Sequence, residues 1–422
     1  MDEYLARSRV VTCVFPLLGC AIVLYAWCAY RVYGAHRLAE NRDEASFRRA
    51  ILLEPRDASN YDMLGQYFIW DAQDARAAAG QFRQAAALNP FDSAYWLHLA
   101  QAYNSLGADH QQAAAIRHAI VVDPTTPEIT WSAANFFLIQ GDKPQALKTL
   151  AMVVRNDPAM AEAALSLSWR ASGNVGEIER RLPSDPEIYL KLLKVLVAKN
   201  EWNPAAHTWS SLLALNREID PHSALFYVDA LLANRNVAGA QSAWAELVQR
   251  SRELHSYIQP DNLVVNPGFD REILNAGFDW HSAAVPNVSV MLDSTQSHQG
   301  SVSLLITYSG PSEDAGMCQY LPVTPGTTYM ASAWVKSEEL ESANGPRLTI
   351  SDPYKNLEYA HSDETVGTSS WHRVLTSFTA GPETNLILLR FTRKPGDTQI
   401  RGRFWVDGVR FSQNAVMNDE PG

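Results

Sequence analysis

A regular spacing of prolines is the feature of this sequence that most constrains its fold. Pro55, Pro90, Pro124 and Pro158 lie 35, 34 and 34 residues apart, and each follows an acidic or amide residue. Proline ends helices because it lacks a backbone donor and crowds the preceding turn. A period of 34 to 35 residues is typical of helical units that stack side by side. The spacing therefore predicts an α-helical solenoid.

Other positions keep the same period. Small residues recur at Gly65, Ala100, Ala134 and Ser168, an aromatic recurs at Phe68, Tyr103 and Phe137, and Gly107 and Gly141 mark turns. Small residues let paired helices approach closely, and the aromatic fills the gap one turn later. These residues resemble the tetratricopeptide repeat, a helix-turn-helix unit, as residues 94–124 illustrate. The resemblance implies that neighbouring units stack to bury the apolar face that each leaves open.

The repeat pattern weakens after Pro158 and then returns. Residues 173–186 form a compressed, irregular segment, whereas the stretches from Val195 and Ala230 align at 35 residues and place Trp209 over Trp244. We therefore extend the predicted solenoid over residues 34–256. Residues 34–53 are predicted to form one helix. This helix would continue from the uncharged segment of residues 10–30, a candidate membrane span, and would set the solenoid close to the membrane.

The first helices of tetratricopeptide units line a concave groove that often holds an extended peptide or another protein. Carried onto this chain by offset, the resemblance implies a groove lined by Asp62, Gln66, Ile69, Leu97, Gln101, Asn104, Trp131, Asn135, Leu138 and Trp169. Gln66, Gln101 and Asn135 take equivalent positions, and an amide offers both a donor and an acceptor to a peptide backbone. The same amides fit a plain solvated helix face equally well.

An uncharged segment precedes the repeats. Residues 10–30 carry no formal charge between Arg9 and Arg31, and a helix of that length spans roughly 30 Å of hydrocarbon. Aromatic residues crowd its C-terminal end, where rings favour the lipid-water boundary. We predict a transmembrane signal anchor over residues 10–33 after a tail of residues 1–9. The alternative is a cleaved signal peptide, because residues 17–20 loosely resemble a lipoprotein processing site.

The sequence pattern changes near Pro260. Short runs of alternating apolar and polar residues, separated by Gly, Pro, Ser and Asn, indicate a β-sandwich. We predict a linker at residues 257–261, a sandwich over residues 262–412 and a flexible tail at residues 413–422. The expected fold class is therefore multidomain, with a single N-terminal transmembrane helix, an all-α solenoid and an all-β jelly-roll sandwich. Strands are expected at 287–293, 301–308, 327–337, 347–352, 372–380, 385–392 and 403–412.

A set of motifs within residues 262–412 follows one order along the chain. The motifs are Asn266-Pro267-Gly268-Phe269-Asp270, Trp280, Gly300, Pro325-Gly326 leading into Trp334, Trp371, and Phe404 to Val409. Together they resemble the galactose-binding-like jelly rolls of xylan- and glucan-binding carbohydrate modules. The resemblance implies that the N-terminal segment of the domain pairs beside its last strand. It also implies that Trp280, Trp334 and Trp405 are packing residues.

Two kinds of site follow from this resemblance. Such modules often hold a structural Ca²⁺ near the paired termini, and Asp270 and Asp407 take the matching positions, although Asp270 stands where the family commonly has Glu. Without a metal, Asp270 would cap a turn and Asp407 would end a strand. Sugar rings need aromatic planes, and the candidate glycan-binding residues are Tyr308, Tyr320, Tyr354, Tyr359 and Trp371. The same rings also fit ordinary core or surface positions.

Composition and motifs argue against several functions. The formal net charge is −11 and no basic run occurs, which is unfavourable for nucleic-acid binding. Residues 260–422 hold 19 acidic and 11 basic residues, which suits neutral glycans or cationic partners. Three of the four cysteines lie in the apolar segment, so Cys318 has no disulfide partner in the rest of the chain. No catalytic motif is visible, so we expect no enzyme.

These observations predict a membrane-anchored, non-catalytic scaffold. Its solenoid would bind a protein and its jelly roll would bind a polysaccharide. The resemblance suggests bacterial envelope or exopolysaccharide assembly, with the anchor in the inner membrane and the C-terminal domains in the periplasm. Two arginines precede the apolar segment and three follow it, so a positive-inside count alone would favour the opposite orientation. A long domain can, however, translocate largely regardless of loop charge. A pure protein-protein adaptor whose jelly roll binds no sugar is the alternative, and a glycan-processing enzyme is a third.

Overall fold

A computed structural model describes the main chain of residues 2–355, 357–396 and 399–413, and side chains from residue 18 onward within those ranges. Met1 and residues 414–422, which hold nearly all of the predicted C-terminal tail, lie outside the described residues. Residues 2–9, predicted as a tail, belong to the first helix. The described chain has an N-terminal apolar helix, a helical half and a half of two antiparallel sheets. The predicted fold class is therefore confirmed.

Fifteen helices occupy the first part of the described chain. They are α1 (Asp2–Ala39), α2 (Glu44–Leu53), α3 (Ala58–Trp70), α4 (Ala75–Leu88), α5 (Ser93–Ser105), α6 (Asp109–Val122), α7 (Pro127–Ile139), α8 (Lys143–Asn156), α9 (Ala161–Ser172), α10 (Val175–Glu179), α11 (Pro186–Ala198), α12 (Trp202–Ala214), α13 (Pro221–Ala233), α14 (Val237–Arg250) and α15 (Arg252–His255). From α3 to α9 the boundaries follow the proline period, because each second helix ends just before one of the spaced prolines.

The small residues of the repeat lie where the two helices of a pair approach each other. A Cβ atom at Gly65 of α3 would lie 2.6 Å from the ring of Phe82 in α4, so a larger residue there would force that ring to move. The equivalent Ala100 and Ala134 are buried in α5 and α7. Gly107 and Gly141 have φ of 65° and 75°, the left-handed conformation that ends helices most easily at glycine. These contacts are those expected of tetratricopeptide-type packing.

Acidic residues start many of these helices. Asp57, Asp92 and Asp220 each accept a backbone N–H in the first turn of α3, α5 and α13. Such a cap satisfies donors that a helix start leaves open and typically contributes about 1 kcal/mol. The irregular segment predicted at 173–186 holds the five-residue helix α10 and ends where α11 begins. Gly173, which precedes α10, has the left-handed conformation with φ of 62°.

The chain divides into two compact units, and their boundary differs from the predicted one. The first holds α1 to Leu196 and residues 202–210, and the second holds residues 197–201 and everything from Ser211 onward. Helices α13 and α14, which the sequence pattern assigns to the end of the solenoid, therefore belong with the sandwich. The predicted linker is also packed, because Tyr257 is buried and its hydroxyl donates to the Glu272 carbonyl at 3.0 Å.

Ten strands form the sandwich. They are β1 (Trp280–Ser282), β2 (Val288–Asp293), β3 (Ser303–Tyr308), β4 (Asp314–Pro322), β5 (Thr328–Glu341), β6 (Arg347–Ser351), β7 (Glu358–His361), β8 (Gly367–Thr379), β9 (Leu386–Thr392) and β10 (Arg401–Gln413). Sheet A has the order β1-β4-β9-β6-β7 and sheet B the order β2-β3-β10-β5-β8. Three short or irregular strands, β1, β4 and β7, were not predicted from the sequence.

The two sheets enclose one apolar core. Alternate residues of each strand point inward, as Met317 of β4, Leu389 of β9 and Phe404 of β10 do. Trp280 is fully buried and donates from its ring nitrogen to the Asn266 carbonyl at 3.1 Å. The Leu263 N–H donates to the Phe411 carbonyl at 2.9 Å, so the start of the domain pairs with the last strand as expected.

Candidate functional site

The outer face of sheet A carries a row of charged and polar side chains. Core residues alternate with outward ones along β4, β9 and β6, so Arg390 and Thr349 point away from the core and are paired across neighbouring strands. Arg390 Nη1 lies 3.4 Å from Asp314 Oδ2, and Arg347 Nη2 lies 3.0 Å from Glu358 Oε2. The face thus carries ion pairs, and Tyr320 of β4 lies beside Leu388 of β9 on the same face.

Two donors on this face have no partner among the described residues. The Nε atoms of Arg347 and Arg390 are buried and donate to no acceptor in the part of the chain that the structure describes. Glu358 also accepts from His361 Nδ1 at 2.6 Å, which fixes its carboxylate between two basic groups. A buried unsatisfied donor costs about 1–3 kcal/mol. The polar groups of this face that a ligand can reach are those of Arg390 and Asp314, whose side chains are 30% and 36% exposed.

One end of sheet A contacts helix α13. The Gly277 N–H, in the loop before β1, donates to Asp229 Oδ1 at 2.7 Å. The Tyr354 hydroxyl, in the loop after β6, donates to the Leu232 carbonyl at 2.8 Å, and the Arg235 guanidinium lies 4.9 Å from the centre of that ring. Burial raises the pKa of the Asp229 carboxyl, and the Gly277 N–H partly opposes this. We call this contact the seam.

Helix α14 completes the seam. The Trp244 ring packs edge-on against Phe278 at 6.0 Å between ring centres. A Cβ atom at Gly277 would lie 2.7 Å from Trp244 Cζ3, so the loop before β1 runs directly against the indole. The final helix pair is therefore a packed part of the sandwich unit, and its aromatic and polar contacts hold the start of β1.

The four predicted glycan-binding tyrosines do not form an open aromatic platform for a sugar ring. Tyr354 is engaged in the seam. Tyr320 points outward from β4, is half-buried and packs edge-on against His281 at 5.2 Å, and burial raises its pKa. The Tyr359 hydroxyl donates to Asp352 Oδ2 at 2.9 Å while its ring stacks on Phe378. Tyr308 requires a correction, because it is only 2% exposed and its ring belongs to the core.

Trp371 lies on the outer face of sheet B. Its ring packs edge-on against His298 at 5.9 Å, and His298 stacks on Trp334 with 3.8 Å between ring centres. Trp334 is therefore half-buried against a loop rather than within the core. Trp405 is buried on the same face and donates to Asp293 Oδ2 at 2.7 Å. The structure thus separates Trp371 from the tyrosines, which belong to the core, to sheet A or to the seam.

The two predicted calcium ligands converge on one glycine. A Cβ atom at Gly268 would lie 3.2 Å from Asp270 Oδ2 and 3.6 Å from Asp407 Oδ1. Asp407 is fully buried, and its Oδ2 accepts the His298 and Gln299 N–H groups at 2.7 and 2.8 Å. Burial raises the pKa of Asp407, and the nearby Asp270 adds to the increase. Two carboxylates held this close fit a shared divalent cation, because like charges otherwise repel.

No group of three or more His, Cys, Asp or Glu side chains that would suit a metal occurs among the described residues. A calcium ion between Asp270 and Asp407 would therefore need backbone carbonyl oxygens as further ligands. The carboxylates converge as the resemblance implied, but Ca²⁺ itself stays a prediction.

The predicted groove residues of the solenoid fall into two sets. Asp62 is buried and joins a network, because it accepts from Gln66 Nε2 at 2.6 Å and contacts His98 Nδ1 at 2.7 Å. Asn135 Nδ2 donates to the Trp131 carbonyl at 3.0 Å, one turn earlier in α7. These side chains mainly stabilise the repeats. Four other predicted groove residues are half-buried: Ile69, Leu97, Leu138 and Trp169.

Gln101 and Asn104 of α5 behave differently. Both are exposed, and they lie one turn apart on the same helix. They are the two predicted groove residues whose amides face solvent, and they remain the natural place to test partner binding.

The N-terminal helix is apolar and exposed. Residues 18–39 of α1 are long and apolar enough to cross a membrane, and only their C-terminal end is buried by protein. A signal sequence would pass the same test. Cys20 and Cys28 are exposed free thiols on this helix, and Cys318 is a half-buried free thiol in β4.

Sequence reasoning missed Arg347, Arg390, Asp229 and Arg235. The sequence pattern points to aromatic rings, whereas these residues matter through contacts between elements that are distant in sequence. The alternation in residues 386–392 predicts that Arg390 faces outward, but the assignment of β9 as the neighbour of both β4 and β6 comes only from the fold.

The fold and its sites define a class of protein: a tetratricopeptide-type helical region with an N-terminal apolar helix, followed by a galactose-binding-like jelly roll of the carbohydrate-binding-module type. Residues 261–398 match the family described as "Carbohydrate binding domain". No curated protein matches the chain.

Similar solved structures come from both architectures. A CBM4 structure is 16% identical and covers 36% of this chain and 99% of its own, with a TM-score of 0.28. PilW, a type IV pilus biogenesis factor, is 18% identical and covers 47% of this chain and 97% of its own, with a TM-score of 0.26. A tetratricopeptide repeat protein from Parabacteroides merdae is 13% identical and covers 55% of this chain and 96% of its own, with a TM-score of 0.30.

Proposed function

We propose that this protein is a non-catalytic scaffold, anchored in a membrane by α1, whose solenoid binds a protein and whose sandwich binds a glycan. The observation that carries the proposal is the outer face of sheet A, within a domain that matches a carbohydrate-binding family. Its paired charges at Arg390–Asp314 and Arg347–Glu358 offer donors and acceptors close together.

This face suits sugar hydroxyls. A hydroxyl group both donates and accepts, so it can bridge an arginine and a carboxylate. Hydrogen bonds to charged groups are roughly twice as strong as neutral ones. The Arg390 and Asp314 side chains are 30% and 36% exposed, so their polar groups are accessible to a bound sugar. A neutral polymer fits best, because the charges of the face are already balanced and residues 260–422 carry 19 acidic against 11 basic residues.

The test is a glycan array probed with the full chain and with the Arg390→Met variant. Methionine keeps much of the side-chain volume and removes the donors, so we expect the variant to lose binding. The control is Arg410→Met, at an exposed position of β10 in sheet B. Retained binding in Arg390→Met would place the site elsewhere. Absence of binding to every glycan would favour the pure adaptor.

Asp270 and Asp407 are the residues that would hold a structural Ca²⁺, with backbone carbonyls completing the ligand set. The ion would neutralise two converging carboxylates and tie the start of the domain to its last strand, which already meet at the Val409 N–H and the Pro267 carbonyl, 2.9 Å apart. Its role would be structural and not catalytic.

The partner of the solenoid would contact Gln101 and Asn104. Replacing both by alanine removes two exposed amides without opening a cavity, so we expect weaker capture of the partner from solubilised membranes and an unchanged melting temperature. The Asn135→Ala variant is a useful comparison, because Asn135 Nδ2 bonds within its own helix. Unchanged capture with the double variant would argue against the groove.

We place the chain in a bacterial inner membrane, with the C-terminal domains on the periplasmic side, in an envelope or exopolysaccharide assembly system. The support is that an apolar helix and a carbohydrate-binding-type domain occur in one chain, since envelope glycans and exopolysaccharides lie outside the cytoplasm. Alkaline phosphatase fusions after Gly34 and after Asn418 test the topology. High activity of both fusions is expected for a periplasmic location, and inactive fusions would reverse the orientation.

A further inference from the structure

Exposed apolar side chains lie at three successive junctions between helix pairs. Leu52 is 80% exposed near the end of α2, Phe91 is 85% exposed between α4 and α5, and Val121 is 80% exposed near the end of α6. Each follows or ends the second helix of a pair, so the three lie on the same edge of the stacked repeats. We call this set the junction edge.

The apolar helix leaves the solenoid from that same edge. Helices α1 and α2 are consecutive and joined by a short turn, so they run in opposite directions. The Arg31 Nε atom donates to the Leu53 carbonyl at 2.8 Å and lies 3.2 Å from Glu54 Oε1. Residue 31 of α1 is therefore level with the end of α2, and the residues before it project beyond the junction edge.

Aromatic residues mark the level at which α1 leaves the protein. Tyr25, Trp27 and Tyr30 are exposed and lie within two turns of Arg31. Trp and Tyr side chains favour the membrane-water interface. At about 1.5 Å per residue, Tyr25 lies roughly 9 Å beyond Arg31 along the helix. The interface that these rings indicate is therefore close to the level of Leu52.

We propose that the junction edge rests on the surface of a zwitterionic lipid bilayer, with Leu52, Phe91 and Val121 inserted at the level of the headgroups. The inference rests on the proposed membrane anchor. The continuity of α1, the ion pair at Arg31 and the repeat period together bring these three side chains to the side from which the apolar helix projects.

The chemistry of the edge selects the lipid. Asp57, Asp92 and Asp123 lie at the same junctions, where their carboxylates accept backbone N–H groups. Hydrogen bonds from Thr126 lower the pKa of Asp123 to about 2, so it is ionised at neutral pH. Arg56 is an exposed cation at the first junction, but the three carboxylates outnumber it. Anionic headgroups would therefore repel the edge, and the contact would come from apolar insertion. A single exposed apolar residue is ordinary, but three that recur at successive junctions beside an apolar helix call for an explanation.

The opposite edge supplies a matched control. Ile139 is 82% exposed at the end of α7, at the turn within a helix pair. It has the same exposure as the junction residues but lies on the edge away from the projecting part of α1. It should remain in water.

The experiment places a spin label at residue 91 or 139 in the full chain. Phe91→Cys and Ile139→Cys are made in a chain whose four native cysteines are replaced by alanine, and each labelled protein is reconstituted into phosphatidylcholine vesicles. Power saturation then compares collisions with oxygen, which concentrates in lipid, and with an aqueous nickel chelate. We expect oxygen to dominate at residue 91 and the chelate to dominate at residue 139. Adding phosphatidylglycerol should shift residue 91 toward the chelate.

The possible failures are distinguishable. If carbonate washing removes the protein from the vesicles, the anchor itself fails and the inference fails with it. If the protein stays in the membrane but residue 91 meets the chelate as residue 139 does, the junction edge is free and only this inference is wrong. Circular dichroism of both variants confirms that the helices are intact, and Leu52→Cys repeats the measurement at a second junction position.

Discussion

The seam between the last helix pair and the sandwich makes a sharp prediction about Gly277. This glycine has φ of +63°, and a Cβ atom on it would lie 2.7 Å from Trp244 Cζ3 and 3.4 Å from Leu225 Cδ2. A left-handed conformation costs an L-residue about 1–2 kcal/mol. Overpacking costs typically about 1–3 kcal/mol more. We therefore expect Gly277→Ala to lower the free energy of unfolding by about 2–5 kcal/mol.

The matched control is Gly326→Ala. Gly326 has φ of +74°, and a Cβ atom there meets nothing within 4 Å, so this variant pays only the backbone cost. The assay is equilibrium urea unfolding of a fragment that covers residues 211–413, and tryptophan fluorescence reports the unfolding. Adding Trp244→Leu to Gly277→Ala should relieve part of the clash and make the two substitutions non-additive. Equal losses for the two alanine variants would show that α14 does not pack on the loop before β1.

Three further predictions address other sites. Gly65→Ala should destabilise the solenoid by about 1–3 kcal/mol through the Phe82 ring, whereas Gly80→Ala, with open space around it, should stabilise by up to about 1 kcal/mol in thermal melts. Burial raises the pKa of Asp279 to about 7, so its contribution to stability is full below its unfolded pKa near 3.8 and is lost as the pH rises through 7. Asp279→Asn should flatten the dependence of the free energy of unfolding on pH, and the difference from the unchanged chain should be at most about 4 kcal/mol at pH 8. An unchanged pH profile would contradict this assignment to Asp279. Ca²⁺ should raise the melting temperature of the chain but not of Asp270→Asn, and an equal response of both would remove the proposed ion.

The repeats could be predicted from the sequence because their signal is local and periodic. Each unit repeats the same contacts, so the offset of 34 residues that links Ala100 to Ala134 is also an offset in space. The strands with regular alternation were likewise predictable, as β9 and β10 show. Strands β1 and β7 were missed because three or four residues are too short to show a period.

The candidate site was less predictable, and the aromatic residues show why. An aromatic near a strand end fits a sugar platform, a core position or a helix contact equally well from sequence. Tyr308 became a core residue because its position in β3 faces inward. Tyr354 became a seam residue because α13 offers the Leu232 carbonyl, which lies 122 positions away in the chain. Only a tertiary contact separates these outcomes.

The domain boundary illustrates the same distinction between local pattern and packing. The change from helical to strand texture near Pro260 correctly marks where the secondary structure changes, but it does not mark where one packed unit ends. Helices α13 and α14 bury Trp244 and Leu225 against the loop that carries Gly277, and the Asp229 carboxylate accepts that loop's N–H. Removing the helix pair would expose these apolar groups and leave a backbone donor without its partner. The helix pair therefore supports the loop before β1, and through it the edge of the sheet that carries the proposed glycan face.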